Sequence, residues 1–323
     1  MSSRLARRPV SPSTPERAAH AAAAALGVDP STLARQAQGS TSAVFAGAQV
    51  VLIVAPAYAD LAAVSAKVAL AAALAERCAF VRPLWSGPQR FAGALVSAWE
   101  RIPVVEPVDW EAAGAAVRSL HAVAVDDLEQ SVPIRLPTVV DCADIVTGIE
   151  RLTATGRVRP RMAATLAAVA RRLDGELGDT DPRRGVVHGD LHRPNLLTGP
   201  ARVVLCDTDE IAVGSPAYDL GFLTDPARPS LPEAGRRAFE SGYRGPLPST
   251  GHARSLARAA HLRRTVAVLE RPAGPRERYF NAARLGAWSA MLADWDLDLV
   301  PVVVQPRARQ AALAARGFTG LGR

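Results

Sequence analysis

The sequence predicts an α+β fold in two lobes: a small antiparallel sheet with one helix, then a larger, mainly helical part. Three observations predict it. Short β-prone runs broken by Gly, Ser, Thr and Pro crowd the first hundred or so residues. One strong helical period interrupts them, with Leu61, Val64, Val68, Ala71 and Leu74 on a single stripe. Beyond Pro103 and Pro107 the apolar spacing is helical almost throughout. A chain of 323 residues is long enough to bury such a core.

The elements follow in order. Residues 1–15 are rich in Ser, Pro and Arg and lack an apolar run, so they read as a disordered lead-in and not a signal peptide. Thr14-Pro15-Glu16 starts a helix that ends at Gly27. Leu33–Gln38, Ala43–Ala46 and Gln49–Ala55 form a three-stranded meander whose first turn is Gly39-Ser40-Thr41-Ser42. A helix from Asp60 to Arg77 follows. Two more strands, Phe80–Trp85 and Arg90–Trp99, are expected around Ser86-Gly87-Pro88. Helices are then expected at Trp110–Val123, Val139–Thr155, Arg161–Leu177, Leu231–Tyr243, Ala253–Leu269 and Arg276–Leu292, with a basic helix in the tail after Arg307. This organisation gives a lead at 1–15, a first lobe at 16–101 and a second at 102–323.

Composition narrows the function. The net charge is +7, carried almost wholly by arginine; Lys67 is the one lysine. No aromatic residues interleave with a basic stripe, so nucleic acid is not an expected partner. No apolar run is long enough to span a bilayer, so no membrane association is expected. Three widely spaced cysteines, with no C-x-x-C, fit a reducing cytoplasm better than a disulfide framework.

The chemistry lies between His188 and Asp207. Leu196–Thr198 and Val203–Cys206 are short apolar runs around Gly199-Pro200-Ala201-Arg202, which reads as a hairpin. A turn centred on Ala201 places Asn195 directly opposite Asp207. An amide oxygen and a carboxylate facing each other suit a hard cation such as Mg²⁺. Asp190, on the loop before Asn195, can orient or deprotonate a hydroxyl, the division of labour that phosphoryl transfer requires. The alternation His188, Asp190, His192 also admits a transition-metal reading. Gly189 and Pro194 indicate a loop there, and the Asn195/Asp207 pair accounts for the site without it.

His188-Gly189-Asp190, then Asn195, a short hairpin and Asp207, resembles the catalytic and metal-binding motifs of the aminoglycoside phosphotransferase and choline-kinase-like superfamily. Gly214-Ser215-Pro216-Ala217-Tyr218-Asp219-Leu220-Gly221 is similar to a further segment of that family. The resemblance implies a bilobal, protein-kinase-like fold with residues 16–101 binding the nucleotide. It implies transfer of the γ-phosphoryl group of ATP, with GTP as an alternative donor, to a hydroxyl of a small molecule such as an antibiotic, amino alcohol or sugar. Carried over by residue, it makes Asp190 the catalytic base and Asn195 and Asp207 the Mg²⁺ ligands. His188 and Asp219 would be structural supports. Gly39, Ser40, Thr41 and Ser42 would cover the phosphates, and the backbone of Trp99, Glu100 and Arg101 would meet the adenine. His121 matches a Leu-His pair of the family and is expected to pack near the catalytic loop. A cytoplasmic monomer or homodimer is expected.

Two departures bear on this. The family carries a basic residue on the third strand, where this chain has Leu52-Ile53-Val54. The acidic partner expected on the following helix is replaced by Lys67. Three readings remain: Lys67 supplies the phosphate-binding charge that Ile53 cannot, Lys67 is a solvated surface residue, or the chain is a catalytically degenerate kinase-like binding protein. The second departure is Thr208, where the family favours an aromatic residue. Asp209 and Glu210 read as metal assistance, an attractor for a cationic substrate, or a solvated turn. Asp294-Trp295-Asp296-Leu297-Asp298 reads as an amine-binding patch or an exposed helix end.

Overall fold

The computed structural model describes residues 14–36, 42–139, 142–158, 160–177, 185–224 and 231–270. In chain order these form α1 (Thr14–Ala25), β1 (Ala34–Arg35), β2 (Ala43–Ala46), β3 (Val50–Val54), α2 (Leu61–Arg77), β4 (Gln89–Phe91), β5 (Ala94–Glu100), α3 (Trp110–His121) and α4 (Val125–Ser131). Then come α5 (Cys142–Ala154), α6 (Pro160–Leu177), β6 (Gly185–Val187), β7 (Leu196–Thr198), β8 (Val203–Leu205), β9 (Ala212–Gly214), α7 (Pro216–Leu223), α8 (Glu233–Tyr243) and α9 (Thr250–Glu270). The expected helix at Arg276–Leu292, the basic tail and the acidic patch Asp294–Asp298 lie outside the described residues, as do Gly39, Ser40 and Thr41.

The chain forms two compact units, each assembled from several stretches. The first comprises Met1–Leu136, Arg193–Ile211 and Glu233–Gly245; the second comprises Pro137–His192, Ala212–Pro232 and Pro246–Arg323.

In the first unit the sheet is antiparallel in the order β1-β2-β3-β5-β4. One face is closed by α1, where Ala18, Ala19, Ala22 and Ala23 are fully buried against Phe45, Leu52, Val54 and Val96. The absence of side-chain bulk beyond Cβ lets the helix lie close on the pleat. Burying a Phe45 or Leu52 side chain is worth roughly 1.5–3 kcal/mol. Strand alternation turns Val51 and Ile53 to the other face, with Ile53 opposite both Val44 and Ser97. Asp60 caps α2 by accepting from the Ala63 amide at 3.1 Å.

The hairpin between α2 and the connector, the segment 101–109 that links β5 to α3, is not where the sequence places it. The turn is Ala92-Gly93, with φ of 47° and 83°, and not Ser86-Gly87-Pro88. Two consecutive positive-φ residues match the right-handed twist of the flanking strands, which the glycine permits at little cost. The strand expected at Phe80–Trp85 is instead an extended stretch shared between two partners. Ala79 and Val81 exchange hydrogen bonds with Leu205 of β8, each at 2.8 Å. Arg82 accepts from the Glu100 amide at 2.9 Å, and Leu84 donates to Ala98 at 2.8 Å. The β7–β8 hairpin is thereby fastened to the sheet-bearing unit, which explains why residues 193–211 belong there and not with the later helices.

Helix α8 joins the same unit through glycine-mediated contact with α3. A Cβ on Gly114 would stand 2.2 Å from the Phe239 carbonyl, and one on Gly242 would stand 1.8 Å from that of Glu111. Only hydrogen fits at either crossing point.

The second unit is helical around a small sheet. Ile145, Ile149 and Leu152 of α5, Leu166, Val169 and Leu173 of α6, and Leu262 and Val266 of α9 form one core. Strands β6 and β9 pair antiparallel, and Val139, Val187, Ala212 and Tyr218 pack beneath Leu256 and Ala260. Helix α7 was not anticipated; Ser215 caps it and Pro216 opens it.

Candidate active site

Strand β6 runs directly into the loop that carries His188 and Asp190. The loop is held by Asp219 from α7, a fully buried carboxylate. Its Oδ2 accepts from the His188 amide at 2.6 Å and its Oδ1 from the Gly189 amide at 2.9 Å. Gly189 has φ 74°, a left-handed conformation that glycine adopts without penalty. An anion accepting two amides makes strong, charge-assisted bonds, each worth about 1.5–3 kcal/mol. His188 is itself fully buried, and its Nδ1 lies 3.4 Å from the Asp190 amide. The turn thus leaves Asp190 partly exposed, with Oδ1 3.3 Å from His192 Nε2. Among the described residues no three His, Cys, Asp or Glu side chains gather as a metal cluster.

In the first unit the chain continues as a single helical turn, Arg193–Asn195, and then β7. Arg193 pairs with Glu106 of the connector. The hairpin register corrects the sequence reading by one residue. The pairs are Leu196–Leu205, Leu197–Val204 and Thr198–Val203, so Asn195 falls opposite Cys206, whose amide donates to the Asn195 carbonyl at 3.1 Å. Asp207 comes one residue later. On an ideal strand it would point to the opposite face. The chain leaves ideal geometry there: Asp207 has φ 74°, unusual for a non-glycine residue, and its Oδ1 accepts from the Asp209 amide at 2.9 Å. Asn195 is buried and Asp207 exposed. The donors these residues offer are an amide oxygen and a carboxylate, hard ligands suited to Mg²⁺.

Lys67 is held away from a purely solvated state. Its Nζ donates to Asp209 Oδ1 at 2.6 Å, with the two side chains 48% and 49% exposed. Half-exposure matters energetically: such a pair contributes at most about 1 kcal/mol. Ile53 sits half-buried on β3 and presents no charge.

The adenine-facing backbone expected at Trp99, Glu100 and Arg101 is largely engaged. The Glu100 amide donates to Arg82 and the Arg101 amide to the Gln49 carbonyl at 3.2 Å. The Glu100 carboxylate accepts from the Arg82 amide at 2.8 Å and from Arg202 at 2.6 Å. Arg101 also reaches the Gly47 carbonyl, and Trp99 Nε1 donates to Ser97 Oγ at 2.9 Å. An adenine edge bound at the connector therefore has to use groups other than these two amides. Of the predicted phosphate turn, Ser42 is described, half-buried just before β2. His121 Nδ1 lies 2.9 Å from the Tyr243 hydroxyl, across the α3–α8 contact.

Sequence reasoning missed the Arg193–Glu106 and Arg202–Glu100 pairs and the double use of residues 79–84. Opposite charges were visible in each case. The long separations in sequence gave no signal of pairing.

The fold and these motifs together define a protein-kinase-like phosphotransferase. The chain belongs to the phosphotransferase enzyme family, whose family model matches residues 24–256. Comparison with curated proteins finds no match. Among solved structures it is similar to a choline/ethanolamine kinase family protein from Mesorhizobium loti, at 17% identity and a TM-score of 0.57, covering 84% of this chain and 90% of that one. It is similar to a type I macrolide 2'-phosphotransferase at 20% identity and a TM-score of 0.57, covering 82% and 93%. It also resembles an aminoglycoside 2'-phosphotransferase IIIa solved with GDP, at 14% identity and a TM-score of 0.59, covering 81% and 91%.

Proposed function

We propose that the protein transfers the γ-phosphoryl group of ATP or GTP to a hydroxyl of a small molecule, acting in the cytoplasm as a monomer or homodimer. Family membership supports the reaction class. The observation that supports the reading for this chain is the backbone bond between Cys206 and Asn195, which closes a short hairpin whose open end carries Asn195 on one strand and leads into Asp207 on the other. Mg²⁺, when bound, neutralises charge across the donor's phosphates.

The remaining work falls to the chain. Asn195 and Asp207 hold the cation through oxygen. Asp190 accepts the hydroxyl proton or orients the hydroxyl for in-line attack. Asp219 fixes the backbone that carries Asp190, with His188 packed beneath it. Residues 39–42 cover the phosphates. The acceptor class is an antibiotic, an amino alcohol or a sugar-like molecule; the similar structures include a choline/ethanolamine kinase family protein and macrolide and aminoglycoside phosphotransferases.

A second reading, a nucleotide- or ligand-binding protein without turnover, is favoured by Ile53 on β3 and by the engagement of Lys67 with Asp209. One experiment separates the two. Mg²⁺-dependent nucleotide consumption is measured with ATP and with GTP against amino alcohols, sugars, aminoglycosides and macrolides, beside thermal shift with nucleotide alone. Acceptor-dependent consumption supports the transferase. Nucleotide stabilisation without turnover on any acceptor supports the binding protein.

A further inference from the structure

We propose that Lys67 is a positioning residue: through Asp209 it holds the turn that orients the Asp207 carboxylate. The inference rests on reading Asp207 as a ligand of the cation, and it departs from the expectation that Lys67 itself meets the phosphates.

Three observations carry it. Asp207 is in the left-handed region, a conformation the backbone keeps only when neighbours enforce it. The enforcing contact is local: the Asp209 amide bonds back to Asp207 Oδ1 at 2.9 Å. Asp209 in turn is the residue that Lys67 grips, at 2.6 Å from a helix 142 residues away in sequence.

The remaining link makes this a closed circuit. The C-terminal end of α2 leads into the stretch whose Ala79 and Val81 bond to Leu205 on β8. From Leu205 the chain passes through Cys206 to Asp207, then Thr208 and Asp209, and Lys67 returns it to α2. The turn is therefore tied at one end to the stretch that follows α2 and at the other to α2 itself. A single Oδ1 contact on a half-exposed carboxylate suits the compact ammonium of lysine better than the planar fork of arginine. That accounts for a lysine standing here in a chain whose other basic side chains are arginine and histidine.

The test uses the full-length protein without nucleotide or metal first. Amide hydrogen exchange across residues 207–211 is compared in wild type, Lys67→Met, Asp209→Asn and the charge-swapped double variant Lys67→Asp with Asp209→Lys. Each single variant is expected to exchange faster by up to about fivefold, as for loss of one half-exposed ion pair, and the swap to restore protection. Asp207→Ala, which removes the acceptor outright, sets the upper limit. Unchanged exchange in both single variants overturns the proposal.

Binding of a fluorescent ADP analogue with Mg²⁺ and with EDTA then separates positioning from direct contact. Both single variants are expected to lose part of the Mg²⁺-dependent gain in affinity and to keep the EDTA affinity. Loss of EDTA affinity in Lys67→Met alone would assign the lysine to the phosphates and overturn the positioning role. If the wild type binds no nucleotide under either condition, the phosphotransferase reading fails, while the exchange data still decide whether Lys67 holds the turn.

Discussion

The amide of Cys206 donates to the carbonyl of Asn195 at 3.1 Å, so the residue facing Asn195 across the hairpin is a cysteine and the carboxylate follows one step later. Asp207 lies just past the paired strand residues, in the left-handed region, so strand alternation does not set its direction. Sequence periodicity reaches the hairpin but not this final twist.

Asp190→Ala is expected to lower turnover by roughly 10²–10⁴-fold, the range for removing a general base. Nucleotide affinity should stay within a few-fold of wild type, because Asp190 addresses the acceptor. Steady-state kinetics beside nucleotide titration measure both. Full activity in the variant would remove the base assignment.

Asp219→Ala is expected to destabilise the protein more than it changes nucleotide affinity. The substitution leaves the His188 and Gly189 amides buried without their acceptor. Each orphaned donor costs about 1–3 kcal/mol. A fall in Tm of about 10 °C is the expected scale. Thermal unfolding followed by circular dichroism reports it, with loss of activity accompanying the fall.

Much of this arrangement was legible in the sequence. The helix at 60–77 showed itself through a long apolar stripe, and it stands within one residue of expectation. The motif around Asp190 showed itself through residue type and spacing. What stayed hidden was set by long-range hydrogen bonding. Residues 80–85 have strand composition, yet their partners are divided between β5 and β8, which no local pattern records. The β4–β5 turn lay in Ala92-Gly93 because twist-matching positive φ outweighed the stronger-looking Ser-Gly-Pro signal. Lys67 looked like either a surface residue or a phosphate ligand, since nothing local connects it to Asp209.

Two glycine substitutions should act in opposite directions. Gly242→Ala would press its methyl into the Glu111 carbonyl and force α8 from α3, a loss of at least 1–3 kcal/mol as for overpacking. Gly175→Ala, inside α6 with no atom within 4 Å of the new methyl, should stabilise by about 0.4–1 kcal/mol. Urea midpoints of the two variants against wild type test the contrast.

The thiols make a pH prediction. Burial pushes Cys206 up to about 12, and the adjacent Asp207 charge adds to the effect. Burial likewise pushes Cys78 up to about 12, against the opposing pull of Arg77. Both lie above the ordinary thiol value of 9.0, so the folded state keeps protons that the unfolded state releases. Their contribution is fully present below pH 9 and is lost as pH rises towards 12, with a slope approaching about 1.4 kcal/mol per pH unit for each thiol. Urea midpoints at pH 8 and pH 10 should fall further for wild type than for Cys78→Ala with Cys206→Ala. Iodoacetamide at pH 8 should label neither thiol until denaturant is added.

Residues 79–84 also decide where this gene can be cut. A fragment ending at residue 101 would retain the whole five-stranded sheet, yet the Ala79 carbonyl and Val81 amide would face solvent in place of Leu205. Such a piece carries an open sticky edge and invites self-association. A truncation, split reporter or chimaera made from this end of the protein therefore has to import the 193–211 hairpin along with the sheet.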